Sequence, residues 1–198
     1  MRSAREVALE LMRRVFEEDA YANLLLPSLI RNARLDSRDA ALAQEIGFGT
    51  IRNKLLLDRV IESASQRQLD KVDKHALPIL EIGAYQILFT RIPNHASINE
   101  SVELAKESKN PKLSSFVNAV LRRVAEHDLQ NWITRLSSET LLDDSLSLKY
   151  SHPLWILKTL RLALSLDGKS EQLEQLLLAD NTPAPVNLVA LPGRANGD

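Results

Sequence analysis

The sequence predicts an all-α protein, and three observations lead to that prediction. The stretch Ile79–Phe89 (ILEIGAYQILF) is apolar except at Glu81 and Gln86, so no face of a helix drawn through it is polar. Such a helix is buried by neighbours on several sides, and its 11 residues are too few to span a bilayer. The segments around it carry apolar residues at helical spacing. No stretch before residue 137 alternates apolar and polar residues as a strand does.

The first helices follow from apolar spacing and from cap residues. One apolar stripe predicts a helix over Ser3–Glu18. A second helix should start or kink near Pro27, because a proline deep in a helix removes a backbone hydrogen bond. A third should begin at Asp36 or Ser37, both favourable N-caps. Helical spacing then resumes over Thr50–Ile61.

The segments on either side of the central helix are assigned from composition and capping patterns. Glu62–Lys74 is polar and is predicted to be a loop. The tetrapeptide from Ser97 to Glu100 matches a capping box, and its helix should end before Asn110. A further helix is predicted from Ser115 onwards.

A change in composition after residue 136 divides the chain. Residues 1–136 form the predicted helical domain, and residues 137–180 form a helical linker region that starts with a turn-rich stretch. The linker helices are Leu154–Leu166 and Glu171–Ala179. The sequence VNLVAL, residues 186–191, is the predicted strand. Since a helical body offers it no partner strand, residues 181–198 should be the truncated start of a further α/β domain.

Composition excludes several kinds of chemistry. The chain has no cysteine, hence no thiol nucleophile and no thiolate metal site. Its histidines lack metal-ligand spacing, and neither a G-x-G-x-x-G loop nor a G-x-S-x-G elbow occurs. We therefore predict no catalytic, cofactor-binding or metal-binding residues. The net charge of −1 gives no overall attraction to nucleic acid, so an RNA-binding argument depends on local clusters.

Basic residues do cluster near predicted helix ends, where they could contact phosphates. Composition alone favours ordinary solvated faces instead. Arg5 lies at the margin of the first helix's apolar face, where a buried, paired arginine is at least as well supported as a ligand contact. The clusters are Arg2 with Arg5, Arg13 with Arg14, Arg52 with Lys54, and Arg122 with Arg123.

Longer motifs resemble a known family. IGAYQILFTRIPNHASINESVELAK followed by FVNAVLRR resembles the NusB-like RNA-binding fold. It is most similar to the version at the N-terminus of RsmB-type (Sun or Fmu) ribosomal RNA cytosine-5 methyltransferases. AREVALELMRRV, YANLLLP, and FGTIRN with LDRVI agree with that resemblance. SHPLWIL and NTPAPVNL resemble the methyltransferase's linker and the entry to its next domain.

The resemblance implies packed helical subdomains that bind the 16S RNA of the small ribosomal subunit. A cytoplasmic location fits the lack of cysteine, of a long apolar run and of a signal-peptide pattern in the sequence. The resemblance also implies a C-terminal methyltransferase domain as partner, with S-adenosylmethionine as that domain's cofactor and no cofactor in the present residues. Two positions depart from the family: Glu81 stands where an arginine is frequent, and LVALPG replaces a strand containing arginine. The RNA-binding residues that the matched motifs imply are Arg2, Arg5, Arg52, Arg122 and Arg123.

Three functions are open on the sequence alone. The first is the RNA-positioning region of a cytosine-5 methyltransferase. It would not be catalytic alone, because that chemistry needs a thiolate to attack carbon 6 of the ring and the chain has no cysteine. The second is a stand-alone NusB-type antitermination factor that binds RNA and a small ribosomal protein and would end near residue 136. The third is a helical protein-interaction domain without an RNA role, which the near-neutral charge supports.

Overall fold

The computed structural model describes residues 2–107, 110–137 and 141–182, and all regular structure within these ranges is helical, as predicted. Short 3-10 turns lie at Leu69–Lys71 and Ser170–Gln172. The predicted strand, residues 186–191, lies outside the described ranges. The helices are α1 (Ala4–Glu17), α2 (Ala22–Ala33), α3 (Ser37–Arg52), α4 (Lys54–Ser65), α5 (Leu77–Phe89), α6 (Asn94–Lys106), α7 (Pro111–Val124), α8 (Leu129–Ser137), α9 (Leu142–Tyr150), α10 (Leu154–Leu166) and α11 (Leu173–Asn181).

Helix α5 is the centre of the fold, as its sequence predicts. It packs against α1, α3, α4, α6 and α7, and every residue from Ile79 to Gln86 is buried. Gly83 permits the close approach of two of these neighbours. A Cβ atom there would lie 2.6 Å from Leu121 Cδ1 and 2.8 Å from Ser101 Oγ. Because each side of α5 meets another helix, none of its faces needs to be polar.

Two hydrophobic cores share the inner faces of α1 and α3. The larger core surrounds α5 and also contains residues of α4, α6, α7 and α8. Leu80, Leu121 and Trp132 are among its buried residues. The smaller one joins α1, α2 and α3 through residues such as Leu11 and Leu26. These cores correspond to the packed helical subdomains that the sequence resemblance implies.

Helices α2 and α7 begin earlier than predicted, and a proline is involved in both. Helix α2 starts at Ala22, so Pro27 lies inside it, where Leu26 and Leu29 are buried against the neighbouring helices. Helix α7 starts at Pro111 rather than Ser115, because Asn110 caps it by accepting a hydrogen bond from the Lys112 N–H. Proline at the first helical position needs no N–H, so it begins this helix without loss.

The predicted capping box from Ser97 to Glu100 is wrong. Helix α6 already begins at Asn94, and the Ser97 N–H donates to the Pro93 carbonyl at 3.1 Å, so it is not a free donor. The Ser97 side chain is buried in the first turn. A capping box does occur at α1, where the Ser3 hydroxyl accepts from the Glu6 N–H and the Glu6 carboxylate accepts from the Ser3 N–H.

Two segments contain more helix than their polarity indicated. Helix α4 extends into the first residues of the predicted loop and ends at Ser65, because Ala64 still packs into the larger core. Helix α9 lies within the turn-rich stretch after residue 136. Its Leu148 joins the larger core, and acidic Asp143 and Asp144 stand favourably in its first turn.

Helices α9, α10 and α11 form a separate small layer, called the linker layer below, against the body, which consists of helices α1–α8. Four buried residues make its own core: Tyr150, Leu157, Leu173 and Leu177. Between α9 and α10, Ser151 has φ +55° and its hydroxyl accepts a hydrogen bond from the Leu55 N–H at 2.9 Å. That N–H is a free donor in the first turn of α4, so the SHPLW motif caps a helix of the body. None of the helices in the described ranges is long and apolar enough to span a membrane.

Candidate nucleic-acid interface

The two predicted RNA-binding arginines at the start of α1 differ in exposure and in hydrogen bonding. Arg2 precedes the helix, is exposed, and makes no hydrogen bond or ion pair with any described residue. The Arg5 side chain is 15% exposed; its Nε donates to Gln86 Oε1 at 2.8 Å, and its Nη1 lies 3.5 Å from Glu100 Oε2. Gln86 is fully buried in α5. Arg5 therefore joins α1 to α5 and α6, which is the paired arrangement, one of the two alternatives that its position at the margin of the apolar face left open.

The two arginines at the end of α7 also differ in their hydrogen-bond partners. Arg123 Nη1 donates to the Ala64 carbonyl at 3.0 Å, next to the last residue of α4. That carbonyl is near a helix C-terminus, where a cation is favourable. Arg122 is exposed, and its hydrogen bond within the described ranges goes to Asn118, one turn earlier on α7. Arg122 is thus available to a ligand, whereas Arg123 also caps α4.

Arg52, the last residue of α3, occupies a third location. It is half-buried and lines a cleft where α3, α5 and α8 of the body meet α9 and α11. Its guanidinium makes no hydrogen bond or ion pair with another described residue. Among the described residues, no two of the five predicted arginines share a hydrogen-bond or ion-pair partner. The structure places these residues at three helix ends.

Glu81 is buried within α5. The Lys54 Nζ lies 2.5 Å from Glu81 Oε1 and 3.0 Å from each carboxylate oxygen of Asp58. Burial raises the pKa of Glu81 to about 8, although Lys54 acts in the opposite direction. Burial alone would lower the pKa of Lys54, but the attraction of Glu81 and Asp58 outweighs it and raises that pKa. Glu81 is therefore a core residue with an internal partner.

The glycines of the described residues do not form a cofactor-binding loop. Cofactor loops use glycine so that the backbone can approach the ligand. Here Gly47 faces Leu11 and Gly49 faces Tyr85, so both serve helix packing. Gly168 lies in an open turn at φ +68°. Among the described residues, no group of three or more histidines, aspartates or glutamates could hold a metal ion.

Several polar and aromatic residues of the cleft around Arg52 were not predicted as site residues. Tyr85 and Phe89 stand four residues apart on α5, a spacing that could have indicated a pair of touching rings. Lys149 and Tyr150 come from α9 and Asn181 comes from α11, and these residues follow Arg52 by 97, 98 and 129 positions. Nothing local in the sequence connects them to Arg52. Only the docking of α9 and α11 on the body brings them there.

The fold and these helix ends define an all-helical protein of the NusB class, and the comparisons with known proteins agree. The chain belongs to the NusB family, which its sequence matches over residues 2–126. In fold it is similar to a chain in the "Crystal Structure of a Plectonemic RNA Supercoil", with a TM-score of 0.58 and 18% identity, covering 62% of this chain and 91% of that one. At that identity the likeness concerns the fold alone.

Longer relatives extend the match beyond the NusB region. A candidate methyltransferase from Mycobacterium tuberculosis is 37% identical over 192 residues, which cover 96% of this chain and 42% of that protein. The ribosomal RNA small subunit methyltransferase B from Escherichia coli O157:H7 is 31% identical over 185 residues, covering 93% of this chain and 40% of the relative. The chain therefore spans about two-fifths of the length of these curated relatives.

Proposed function

We propose that this chain is the RNA-binding and RNA-positioning N-terminal region of a methyltransferase that modifies cytosine at carbon 5 in 16S ribosomal RNA. The observation that carries the proposal is the extent of the match: the relatives named as methyltransferases align with 93–96% of the chain, through α9, α10 and α11. A stand-alone antitermination factor would need only the NusB region, residues 2–126. The expected location is the cytoplasm.

In this proposal the domains divide as residues 1–136, 137–180 and 181–198. The first is the RNA-binding body, the second is the linker layer, and the third begins the catalytic domain of a longer protein. That domain would supply S-adenosylmethionine binding and the thiolate that cytosine chemistry requires, since the present chain has no cysteine. The contribution of the present residues is to bind RNA and hold it in position.

RNA binding would use exposed arginines at helix ends, chiefly Arg2 and Arg122. Each can contact a phosphate without giving up a partner on another helix. Arg5 and Arg123 already hold Gln86 and Ala64, so any RNA contact they make would be shared with a structural one. Affinity built on phosphate contacts falls as salt concentration rises, because binding releases counterions from the RNA.

The linker layer would also contact the catalytic domain of the longer protein. Trp155, Leu162 and Leu166 recur on one face of α10 and are 70%, 61% and 81% exposed. Exposed apolar patches of this kind mark interaction surfaces. Because the relatives carry more than half of their length outside the matched region, their remaining domain is the occupant that we assign. Hydrogen exchange of α10 should be slower in the longer protein than in the present chain; equal exchange would contradict this contact.

Charge-reversal variants test the RNA-binding proposal. The double variant Arg2→Glu with Arg122→Glu should weaken binding to single-stranded 16S RNA fragments by about tenfold or more at 50 mM salt, because each substitution removes one phosphate contact. Arg38→Glu is the matched control, since Arg38 is exposed at the start of α3 and is not a predicted site residue. Fluorescence anisotropy measures both affinities. If the double variant loses no more than twice the binding free energy that the single control loses, or loses none, the assigned surface would be contradicted.

A further inference from the structure

The cleft between the body and the linker layer is a built cavity with its own chemistry. It has a volume of about 420 Å³, within the range of about 300–1,000 Å³ that is typical of small-ligand pockets. The second half of α3, the last turns of α5 and one residue of α8 form one side, and α9 and α11 supply the other residues. The lining residues with side chains suited to binding a ligand are Arg52, Asn53, Tyr85, Phe89, Tyr150 and Asn181.

Aromatic rings are held in fixed positions on the body side of this cleft. Tyr85 and Phe89 stack with their centroids 5.2 Å apart and an angle of 11° between their planes. The Tyr85 hydroxyl donates to Glu45 Oε1 at 2.7 Å. Gly49 makes room for it, because a Cβ atom there would lie 2.0 Å from the Tyr85 hydroxyl. Phe89 is only half-buried, so part of its ring is open to the cleft.

The linker side adds another ring that is fixed by polar contacts. The Tyr150 hydroxyl donates to Glu174 Oε1 at 2.8 Å, and the Lys149 Nζ lies 4.9 Å from the Tyr150 ring centroid. Lys149 is itself paired with Glu174 at 2.7 Å. The cations and anions of this side are therefore matched with each other. Burial of the Tyr150 hydroxyl and its bond to Glu174 raise the pKa of Tyr150.

Polar atoms that have no hydrogen-bond partner among the described residues complete the cleft. The Arg52 guanidinium is half-buried and unpaired among the described residues. The Asn53 amide donates to the Gly49 carbonyl at 2.9 Å, and the Asn181 amide donates to the Tyr150 carbonyl at 2.7 Å. Each anchored amide keeps its Oδ1 atom as an available acceptor. A cation for phosphate, acceptors for a base edge and aromatic rings for stacking are the groups that recognise unpaired nucleotides in RNA.

We propose that this cleft binds one unstacked nucleotide of single-stranded RNA, with its base at Phe89 and its phosphate at Arg52. The inference rests on the RNA-binding function proposed above and deepens it. Because Asn181 and Tyr150 belong to the linker layer, the site exists only when that layer is docked on the body. The linker thus takes part in RNA binding and does more than connect two domains.

Substitution of Phe89 tests the base-binding step. Phe89→Leu keeps an apolar side chain but removes the stacking surface, so it should weaken binding of a 12-nucleotide single-stranded RNA by about tenfold. The slope of log affinity against log salt should stay unchanged, and binding of the corresponding duplex should not change. Arg52→Ala should instead reduce the salt slope by about 0.7, the loss of one phosphate contact on a single strand. Thermal unfolding of both variants checks that they fold.

Crosslinking at 254 nm, followed by mass spectrometry, locates the base directly and separates the possible failures. Crosslinks on Tyr85, Phe89 or Tyr150 would support the site, with Tyr21, which is exposed outside the cleft, as the comparison residue. If the unchanged chain binds no RNA at low salt, the proposed function itself fails. If it binds RNA but Phe89→Leu changes affinity less than twofold and crosslinks avoid the cleft, only the nucleotide site is overturned.

Discussion

Helices α1–α8 and helices α9–α11 are both built from amphipathic helices, yet they bury their apolar residues to very different extents. In the body, α5 is buried over eight consecutive residues and two cores surround it. The linker layer has only a four-residue core and leaves Trp155 and Leu166 largely exposed. The body can therefore be stable alone, whereas the layer depends on the body and on a further partner.

Truncation of one leucine in each region should give the largest and most contrasting effects. Leu80 and Leu157 are both fully buried. Leu80→Ala should lower the free energy of unfolding of the whole body by about 2–5 kcal/mol, because it leaves a cavity in the larger core. Leu157→Ala should release α9–α11 while the body stays folded. Urea unfolding and hydrogen exchange measure both; cooperative unfolding of the body by Leu157→Ala would contradict the independence of the body.

The pH dependence of stability should show the cost of the buried carboxylate in the body. The folded-state pKa of Glu81 is about 8, against an ordinary value of 4.5, so the folded state binds more protons between these pH values. Its contribution to stability is therefore complete below pH 4.5 and is lost as the pH rises to 8. Relative to the unchanged chain, Glu81→Gln should gain stability from pH 5 to pH 8, by at most about 1.4 kcal/mol per pH unit.

Urea unfolding of both chains at pH 5, 6.5 and 8 measures this difference. Lys54 does not contribute to it, because its pKa is raised from 10.5 and it titrates above the window. A difference that stays constant over the three pH values would contradict a raised pKa at Glu81.

The contact between the two regions should have an effect of about 1 kcal/mol. Ser151→Ala removes the hydroxyl that accepts from the Leu55 N–H, and it leaves that donor in the first turn of α4 without a cap. We expect faster hydrogen exchange at the start of α4 and throughout α9–α11. Ser165→Ala is the control, since the Ser165 hydroxyl bonds only within α10 and is exposed. The same exchange rates in both variants would show that Ser151 does not hold the layer on the body.

A comparably small effect on stability distinguishes the neighbouring arginines at the end of α7. Arg123→Ala should lower the free energy of unfolding by about 0.5–1.5 kcal/mol, because the Ala64 carbonyl loses a hydrogen bond. Arg122→Ala should leave stability unchanged and weaken RNA binding. Chemical denaturation and anisotropy on the same two variants provide the test. A stability loss in Arg122→Ala would assign that residue to the fold instead.

The sequence predicts the parts of this fold that depend on local pattern. The burial of α5, the start of α3 at Ser37 and the span of α10 all follow from apolar spacing and capping residues. Helix starts next to Pro93 and Pro111 are harder to predict, because proline both ends helices and occupies their first turn.

The candidate site is less predictable, because its contacts join distant parts of the chain. Arg5 donates a hydrogen bond to Gln86, which lies 81 positions later in the chain. Arg123 donates one to the carbonyl of Ala64, which lies 59 positions earlier. A basic residue that looks free in the sequence can therefore be occupied in the fold. The cleft around Arg52 depends in the same way on Tyr150 and Asn181, which the docking of the linker layer brings into place.

Equilibrium binding of the unchanged chain to a single-stranded fragment of 16S ribosomal RNA, between 50 and 200 mM salt, tests the proposed RNA-binding function most directly. We expect measurable binding at the lowest salt, with log affinity falling linearly against log salt and a slope that corresponds to several phosphate contacts, each contributing about 0.7. Absence of binding at 50 mM salt, or an affinity that does not change with salt, would contradict RNA binding through phosphate contacts and favour a protein-interaction domain without an RNA role.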